Sequence, residues 1–521
     1  MGTHWLADAH HESFWPHFSW PEFAALSKAK KARILVVLPV HGFADHGLGL
    51  PLDAEEAVGS AVLRRAAENV RALRVLPPLR FGLAPYPSSR FGVDAETAYE
   101  QMREIVRSVK AAGFGKIVFF NTSPWNEELV ATVALDTRVE FGLRNFVVNL
   151  SKLGMSFHPG AAREARANAQ AAAAHVLGMS AKEVLANVKK SAKLAKADVR
   201  DAGFRPGNFQ QPETLAPDEA LDGGVIVEMA AMQLARTFGD VAQTAKSARI
   251  STPRVSIQTK QADLAVCATF PQSYRSHYLP AFTAAQLAAL PNKRRSLVII
   301  PTGAIEQHGP HLPVGVDAIL GQAWLAHTLP KFSPLAAKRV FVAPPITFGK
   351  SNEHDGFAGT ITISAKTLRR VLLALAAELR AMGFGTIAVL NTHGGNSPVI
   401  VYTLREIQTT LGLRAGMIKP DFSGRDARET KYGIHAGEWE TALMLACAPE
   451  LVRMDKALSE YPSTLEKLEK TGAAATLAWM TSDISKSGVM GDARAATAER
   501  GKFFLQKASA TLAGRIAELL E

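Results

Sequence analysis

Cysteine is nearly absent from this 521-residue chain: only Cys267 and Cys447 occur, both in apolar surroundings and without paired spacing. That excludes a disulfide framework and a thiolate zinc site, and it is compatible with a reducing compartment. No apolar run reaches the length of a membrane span. Residues 1–11 contain no basic segment followed by an apolar one, so no signal peptide is expected and a cytoplasmic location is. Clustered positive charge is lacking too. The formal net charge is +11, yet Lys and Arg are scattered, and the densest run, residues 189–196, lies in an Ala-rich helical stretch without aromatics. That pattern describes a solvated helix face, so neither a nucleic acid nor a membrane is expected as a partner.

What the chain does have is material for large cores, with 47% hydrophobic residues and a mean hydropathy of +0.03. Its length implies two or more domains. A short apolar strand, residues 296–300, leads into Pro301-Thr-Gly-Ala-Ile-Glu-Gln-His-Gly-Pro-His-Leu-Pro-Val-Gly-Val-Asp317. This stretch places Glu306, His308, His311 and Asp317 in one Gly- and Pro-punctuated turn, the residue types that a divalent-metal site needs.

The same stretch occurs twice. Laid without gaps under Pro301–Asp317, the earlier segment puts Pro39 on Pro301, His46 on His308, Gly47 on Gly309 and Leu50-Pro51 on Leu312-Pro313. Residues 112–126, AGFGKIVFFNTSPWN, likewise match residues 382–396, MGFGTIAVLNTHGGN. Such spacing signals duplication of a whole domain rather than a short repeat. Each copy has a helix with a cap and a glycine stop (Asp94 and Gly113; Ser364 and Gly383) that feeds a strand. Strands alternating with helices predict an α/β fold with mainly parallel sheets, ligands gathering at the carboxyl ends of the strands. The expected domains are 1–270, with a helical insertion at about 161–212, and 271–521, closed by an amphipathic helix over residues 498–520.

Two further stretches of the second copy carry chemistry. Asn391-Thr-His-Gly-Gly-Asn396 sets His393 just past a strand, and His435-Ala-Gly-Glu-Trp-Glu-Thr441 adds His435, Glu438 and Glu440 at a helix start. With Glu353-His-Asp-Gly-Phe-Ala-Gly-Thr360 and Gly488-Val-Met-Gly-Asp-Ala-Arg494, these motifs make the second copy resemble the creatininase family, creatinine amidohydrolases with deformylase and peptidase relatives.

The resemblance implies tandem three-layer α/β/α domains and a pair of divalent ions (Zn, Mn or Fe). The ligands it implies are Glu306, His308, Asp317 as bridge, His393 and Glu438, with Glu440 the alternative to Glu438 because Gly395 stands where creatininase has a Glu. Three carboxylates against two divalent ions leave the positive charge that acidifies a bound water. His435 and Glu438 are then the expected catalytic groups, and His354 and Trp439 the expected substrate contacts. The implied activity is hydrolysis of a C–N bond in a small cyclic amide or formamide. The alternatives are a peptidase acting on a short modified peptide and a non-enzymatic protein that merely retains metal.

The first copy has Ala44 for Glu306, Glu55 for Asp317, Ser123 for His393 and Val225 near Glu438, so it reads as catalytically silent. A lesser reading is an altered site using His41, Asp45, His46 and Asp53. Family assemblies imply a homo-oligomer, with three chains rebuilding a pseudo-hexamer.

Overall fold

The computed structural model describes residues 13–70, 72–83, 89–190, 222–243, 272–421, 423–464 and 478–521. Cys267, the Gly/Pro-rich loop near residues 205–212 and the expected boundary at 270 lie outside them. Two parallel sheets organise the rest. In the first, β1 (Leu35–His41) lies between β2 (Leu73–Val75) and β3 (Lys116–Asn121), with β4 (Arg144–Asn149) beyond β3. In the second, β5 (Leu297–Thr302) lies between β6 (Val340–Val342) and β7 (Thr386–Asn391), with β8 (Arg414–Ile418) beyond β7. The orders β2-β1-β3-β4 and β6-β5-β7-β8 are the same, so the sequence repeat is a repeat of topology. The central strands are buried along their whole length, as apolar runs such as Leu-Val-Ile-Ile require of a sheet covered on both faces.

The first half contributes helices α1 (Ala54–Glu68), α2 (Ala95–Ala111), α3 (Glu127–Phe141), α4 (Arg163–Val176) and α5 (Gly223–Gln243). The second contributes α6 (Val316–Thr328), α7 (Ala365–Ala381), α8 (Ser397–Glu406), α9 (Glu438–Cys447) and α10 (Ala498–Leu520). Asp94 and Ser364 cap α2 and α7 by accepting the Thr97 and Thr367 amides, and Gly113 and Gly383 end the turns after them at φ 88° and 96°. Leu368, Val371, Leu372, Leu375 and Leu379 form the buried stripe of α7. Among the described residues no helix is long and apolar enough to cross a membrane.

The cores show how the halves fit. The inner faces of both sheets, together with α2, α3, α7 and α8, bury one continuous core that includes Ile105, Phe114, Val298, Ile300 and Leu372. The outer faces bury separate cores, one under α1, α4 and α5 and one under α6, α9 and α10. The expected insertion begins with α4, yet Ala169, Ala172, Ala173 and Val176 of this helix belong to the outer core. Gly223 at the start of α5 closes on the Ala171 carbonyl of α4, and Gly501 in the first turn of α10 closes on the Ala442 carbonyl of α9. By that contact α4 takes the place of α9, and α5 that of α10. The pairing of Val225 with Glu438 is therefore corrected: Val225 is an exposed residue of α5.

The segments leading into the two halves cross over reciprocally. Phe14 bridges Val75 and Tyr278 bridges Val342, each on the edge strand of its own half. Each arm then turns to the other half. Phe18 and Pro16 carbonyls accept the Val314 and Gly315 amides, both at 2.9 Å. Phe282 and Pro280 carbonyls accept the Leu52 and Asp53 amides at 3.1 and 2.9 Å. Leu52-Asp53 and Val314-Gly315 are equivalent positions of the ungapped repeat, so the halves meet as the members of a two-fold pair do.

Gly501→Ala drives a methyl into the Ala442 carbonyl and is expected to cost about 1–3 kcal/mol. Gly239→Ala, inside α5 with open space at its Cβ, is expected to stabilise by about 0.5–1 kcal/mol. Urea unfolding midpoints of the two variants check this pair.

Candidate metal centre

The carboxyl ends of β5 and β7 and the first turns of α6 and α9 meet at one place. Glu306 follows β5, His393 follows β7, Asp317 is the second residue of α6 and Glu440 lies in the first turn of α9. His308 comes from the loop after β5, His354 from a short turn, and His435 from a bridge to Met490. All seven are buried, with His308 at 0% and none above 7% exposure. Potential ligand atoms cluster as Glu306–His308–Asp317, His308–His435–Glu440 and Glu306–His354–His435.

The tautomers follow from the carbonyls around the rings. His308 Nδ1 lies 3.1 Å from the Glu306 carbonyl and His393 Nε2 lies 2.9 Å from the Lys350 carbonyl. A carbonyl only accepts, so these nitrogens carry the protons of the neutral rings. The other nitrogens then present lone pairs to carboxylates. His308 Nε2 faces Asp317 Oδ1 at 3.6 Å and Glu440 Oε1 at 3.9 Å, and His393 Nδ1 faces Glu306 Oε1 at 3.0 Å and Asp317 Oδ2 at 3.5 Å. Lone pair against lone pair is repulsive in a dry interior unless a cation or a proton lies between. Glu306 Oε2, His308 Nε2 and Asp317 Oδ2 are buried without a hydrogen-bond partner in the protein. The donor set therefore fits divalent ions, with Asp317 offering one oxygen to each histidine.

Without metal, the same crowding moves protons. Burial opposes a charge on His308, but the Asp317 and Glu440 carboxylates push it up to about 9. Burial pushes Glu440 up to about 7, against the pull of His308 and with help from Asp317. His435 is held well below the usual histidine range, by burial first and then by His308 and His354. It is a neutral ring whose Nε2 lies 2.7 Å from the Gln307 carbonyl, leaving the Nδ1 lone pair turned towards Glu306 Oε1, 3.8 Å away.

Of the two alternatives, Glu438 lies apart, its Oε1 paired with Arg500 Nε of α10, while Glu440 stands with His308 and His435. Two residues apart on a helix point in nearly opposite directions, so when Glu438 turns to α10, Glu440 turns inward. Ala436, held at φ 51°, lets its amide reach the Glu440 carboxylate and ties that carboxylate to the His435 turn.

His354 sits inside the cluster, its Nε2 3.5 Å from Glu306 Oε2 and its ring 4.5 Å from that of His435. Trp439 does not share that location; it packs in the outer core with the Arg425 guanidinium 6.0 Å from its ring. His311 bonds Thr441 Oγ1 at 2.7 Å, and burial, then His308, lowers it to about 3.

Two supporting residues escaped the sequence reading. Gln307 accepts the Gly309 amide at Oε1 (2.9 Å), so its Nε2 donates to His354 Nδ1 (3.0 Å) and the Gly488 carbonyl (3.1 Å). Glu353 pairs with Lys350 at 2.9 Å and reaches His393 Nε2 at 3.3 Å. A side chain at Gly395 would collide with this Glu353 carboxylate, and the missing side chain was the available signal.

The first half keeps the shape and loses the ligands. Glu55 reaches directly to His46 (2.9 Å) and accepts the Gly42 amide (2.8 Å), filling the space that lies between His308 and Asp317 in the second half. Asp53 is taken by Arg275 at 2.8 and 3.3 Å, His41 by Thr122 at 2.9 Å, and Asp45 by the Gly47 amide at 3.0 Å. The altered site from His41, Asp45, His46 and Asp53 does not assemble: among the described residues no three potential ligands cluster in this half.

A family profile described as creatinine amidohydrolase matches residues 16–196 and 280–516. The chain belongs to the creatininase family. It is 30% identical over 209 residues to a mycofactocin precursor peptide peptidase of Mycolicibacterium smegmatis, covering 40% of this chain and 78% of that protein. It is 27% identical over 252 residues to a creatinine amidohydrolase of Pseudomonas putida, covering 43% and 89%. A solved structure, "Creatininase Mn", aligns at 23% identity and a TM-score of 0.39, covering 46% of this chain and 98% of that one.

Glu440→Ala is expected to lower the bound divalent metal from two ions per chain to about one, while Glu438→Ala leaves it unchanged. Elemental analysis after dialysis of each variant measures the difference.

Proposed function

We propose that the second half hydrolyses an amide bond in a short peptide with two divalent ions, zinc, manganese or iron. The observation that carries this reading is Asp317, whose two oxygens face the lone pairs of His308 and His393 at 3.6 and 3.5 Å. Glu306, Asp317 and His393 would hold one ion, and His308, Asp317 and Glu440 the other. When bound, such a pair activates water and polarises the scissile carbonyl.

The chain's own residues handle the proton. His435 Nδ1 is unprotonated because Nε2–H is committed to the Gln307 carbonyl, so it accepts a proton at Nδ1 and returns it to the leaving nitrogen. His354 Nδ1 accepts from Gln307, which leaves Nε2–H on the side of Glu306 Oε2, 3.5 Å away. The peptide substrate is favoured by the likeness to the mycofactocin precursor peptidase. The likeness to creatinine amidohydrolase favours a second reading, a small cyclic amide or formamide.

Metal-reconstituted protein offered short peptides, cyclic amides and formamides is expected to release amine from peptides. Turnover of cyclic amides alone would establish the second reading. No turnover of any amide by metal-loaded protein would leave a metal-retaining binding protein. His435→Ala is expected to lower kcat about 10²–10⁴-fold with metal content unchanged, read from steady-state rates and elemental analysis.

A further inference from the structure

The arm that precedes the first half touches three loops of the second half's site. Pro16 and Phe18 carbonyls fix the Gly315 and Val314 amides, two and three residues before Asp317. Gly315 must lack a side chain here, since a Cβ would lie 2.5 Å from Pro16 Cβ and 2.7 Å from its carbonyl oxygen. Trp15 Nε1 donates to the Gly359 carbonyl at 2.8 Å, and Phe23 packs against Gly359, in the turn that carries Glu353 and His354. Trp20 Nε1 donates to the Ser487 carbonyl at 3.1 Å, with its ring edge-on to Phe357 at 5.4 Å. The next residue, Gly488, accepts from the Gln307 amide that holds His354.

These loops lie beyond the ends of the parallel strands, where isolated bridges such as Ile305–Ile361 and His435–Met490 replace the continuous ladder. We propose that the N-terminal arm, residues 13–24, is a positioning element for the metal centre of the opposite half, setting the loops that carry Asp317, His354 and Gln307. The inference rests on the metal reading above. It gives the half without ligands a task in the chemistry of the other: it anchors an arm that a ligand-bearing half needs. Trp15 is the main positioning residue, fully buried among Phe23 and Phe114, with ring centroids 4.4 and 5.1 Å away.

The reciprocal arm provides an internal control. Leu279 stands in it where Trp15 stands in the first, and its neighbours Pro280 and Phe282 hold Leu52 and Asp53, next to a site whose ligands are gone. The experiment titrates zinc against a competing chelator in full-length wild type, Trp15→Phe, Trp20→Phe and Leu279→Ala, at a temperature where circular dichroism shows all four folded. Loss of a group that orients a metal ligand weakens affinity about 10–100-fold. The expected result is zinc affinity at least tenfold weaker in Trp15→Phe, weaker in Trp20→Phe, and unchanged in Leu279→Ala. Wild-type affinity in both tryptophan variants, or equal weakening in Leu279→Ala, overturns the inference and leaves the metal reading standing. A wild type that binds no zinc, manganese or iron overturns both. Should Trp15→Phe fail to fold, Trp20→Phe, which loses one donor at a half-buried position, decides the matter.

Discussion

Buried carboxylates facing histidine lone pairs across Asp317 set the terms for the rest of this structure. Such groups are stable in a dry interior only if positive charge lies between them. The surrounding bonds all act to keep the arrangement open to a cation. Main-chain carbonyls of Glu306 and Lys350 take the protons of His308 and His393, and Ala436 bends into left-handed backbone so that its amide braces Glu440. The outer core, in turn, fixes α6 and α9, whose first turns present Asp317 and Glu440.

The first half shows the other solution to the same constraint. Where the repeat lost its Glu and His, the chain supplies its own cations: Arg275 holds Asp53, and Arg80 holds Glu56 at 2.6 Å. Burial still raises Glu56, with the Arg80 charge opposing it. The longer side chain of Glu55 reaches His46 directly. The place that corresponds to the second half's donor cluster is occupied by fixed internal pairs, within the same strand order.

The duplication, the parallel sheets and the Glu306–His308–Asp317 turn were legible because they rest on local patterns: a strand period, a glycine turn, matching offsets. The choice between Glu438 and Glu440 was not. Helix geometry says that the two diverge, but only Arg500, contributed by a helix sixty residues on, decides which turns inward. Glu353 was hidden for a similar reason, since its partner His393 is remote in sequence and the only trace was the bare Gly395. The crossing arms left still less, because main-chain carbonyls accept hydrogen bonds whatever the side chains are. The role of α4 was obscured by its alanines, which read as part of a helical insertion although Ala169, Ala172 and Ala173 are buried in the outer core.

Fusing two reciprocal halves into one chain also changes what kind of equilibrium holds them together. Separate subunits exchanging arms would part on dilution, and any variant subunit would meet a mixed population of partners. Here each arm's receptor lies in the same chain, so the pairing is intramolecular and does not weaken on dilution, and the ratio of the two halves is fixed at synthesis. The contacts from Pro16 and Phe18 to Gly315 and Val314 close a loop of nearly three hundred residues. The arm around Pro16 and Phe18 thus has its hydrogen-bond partners only once residues 314 and 315 have been synthesised.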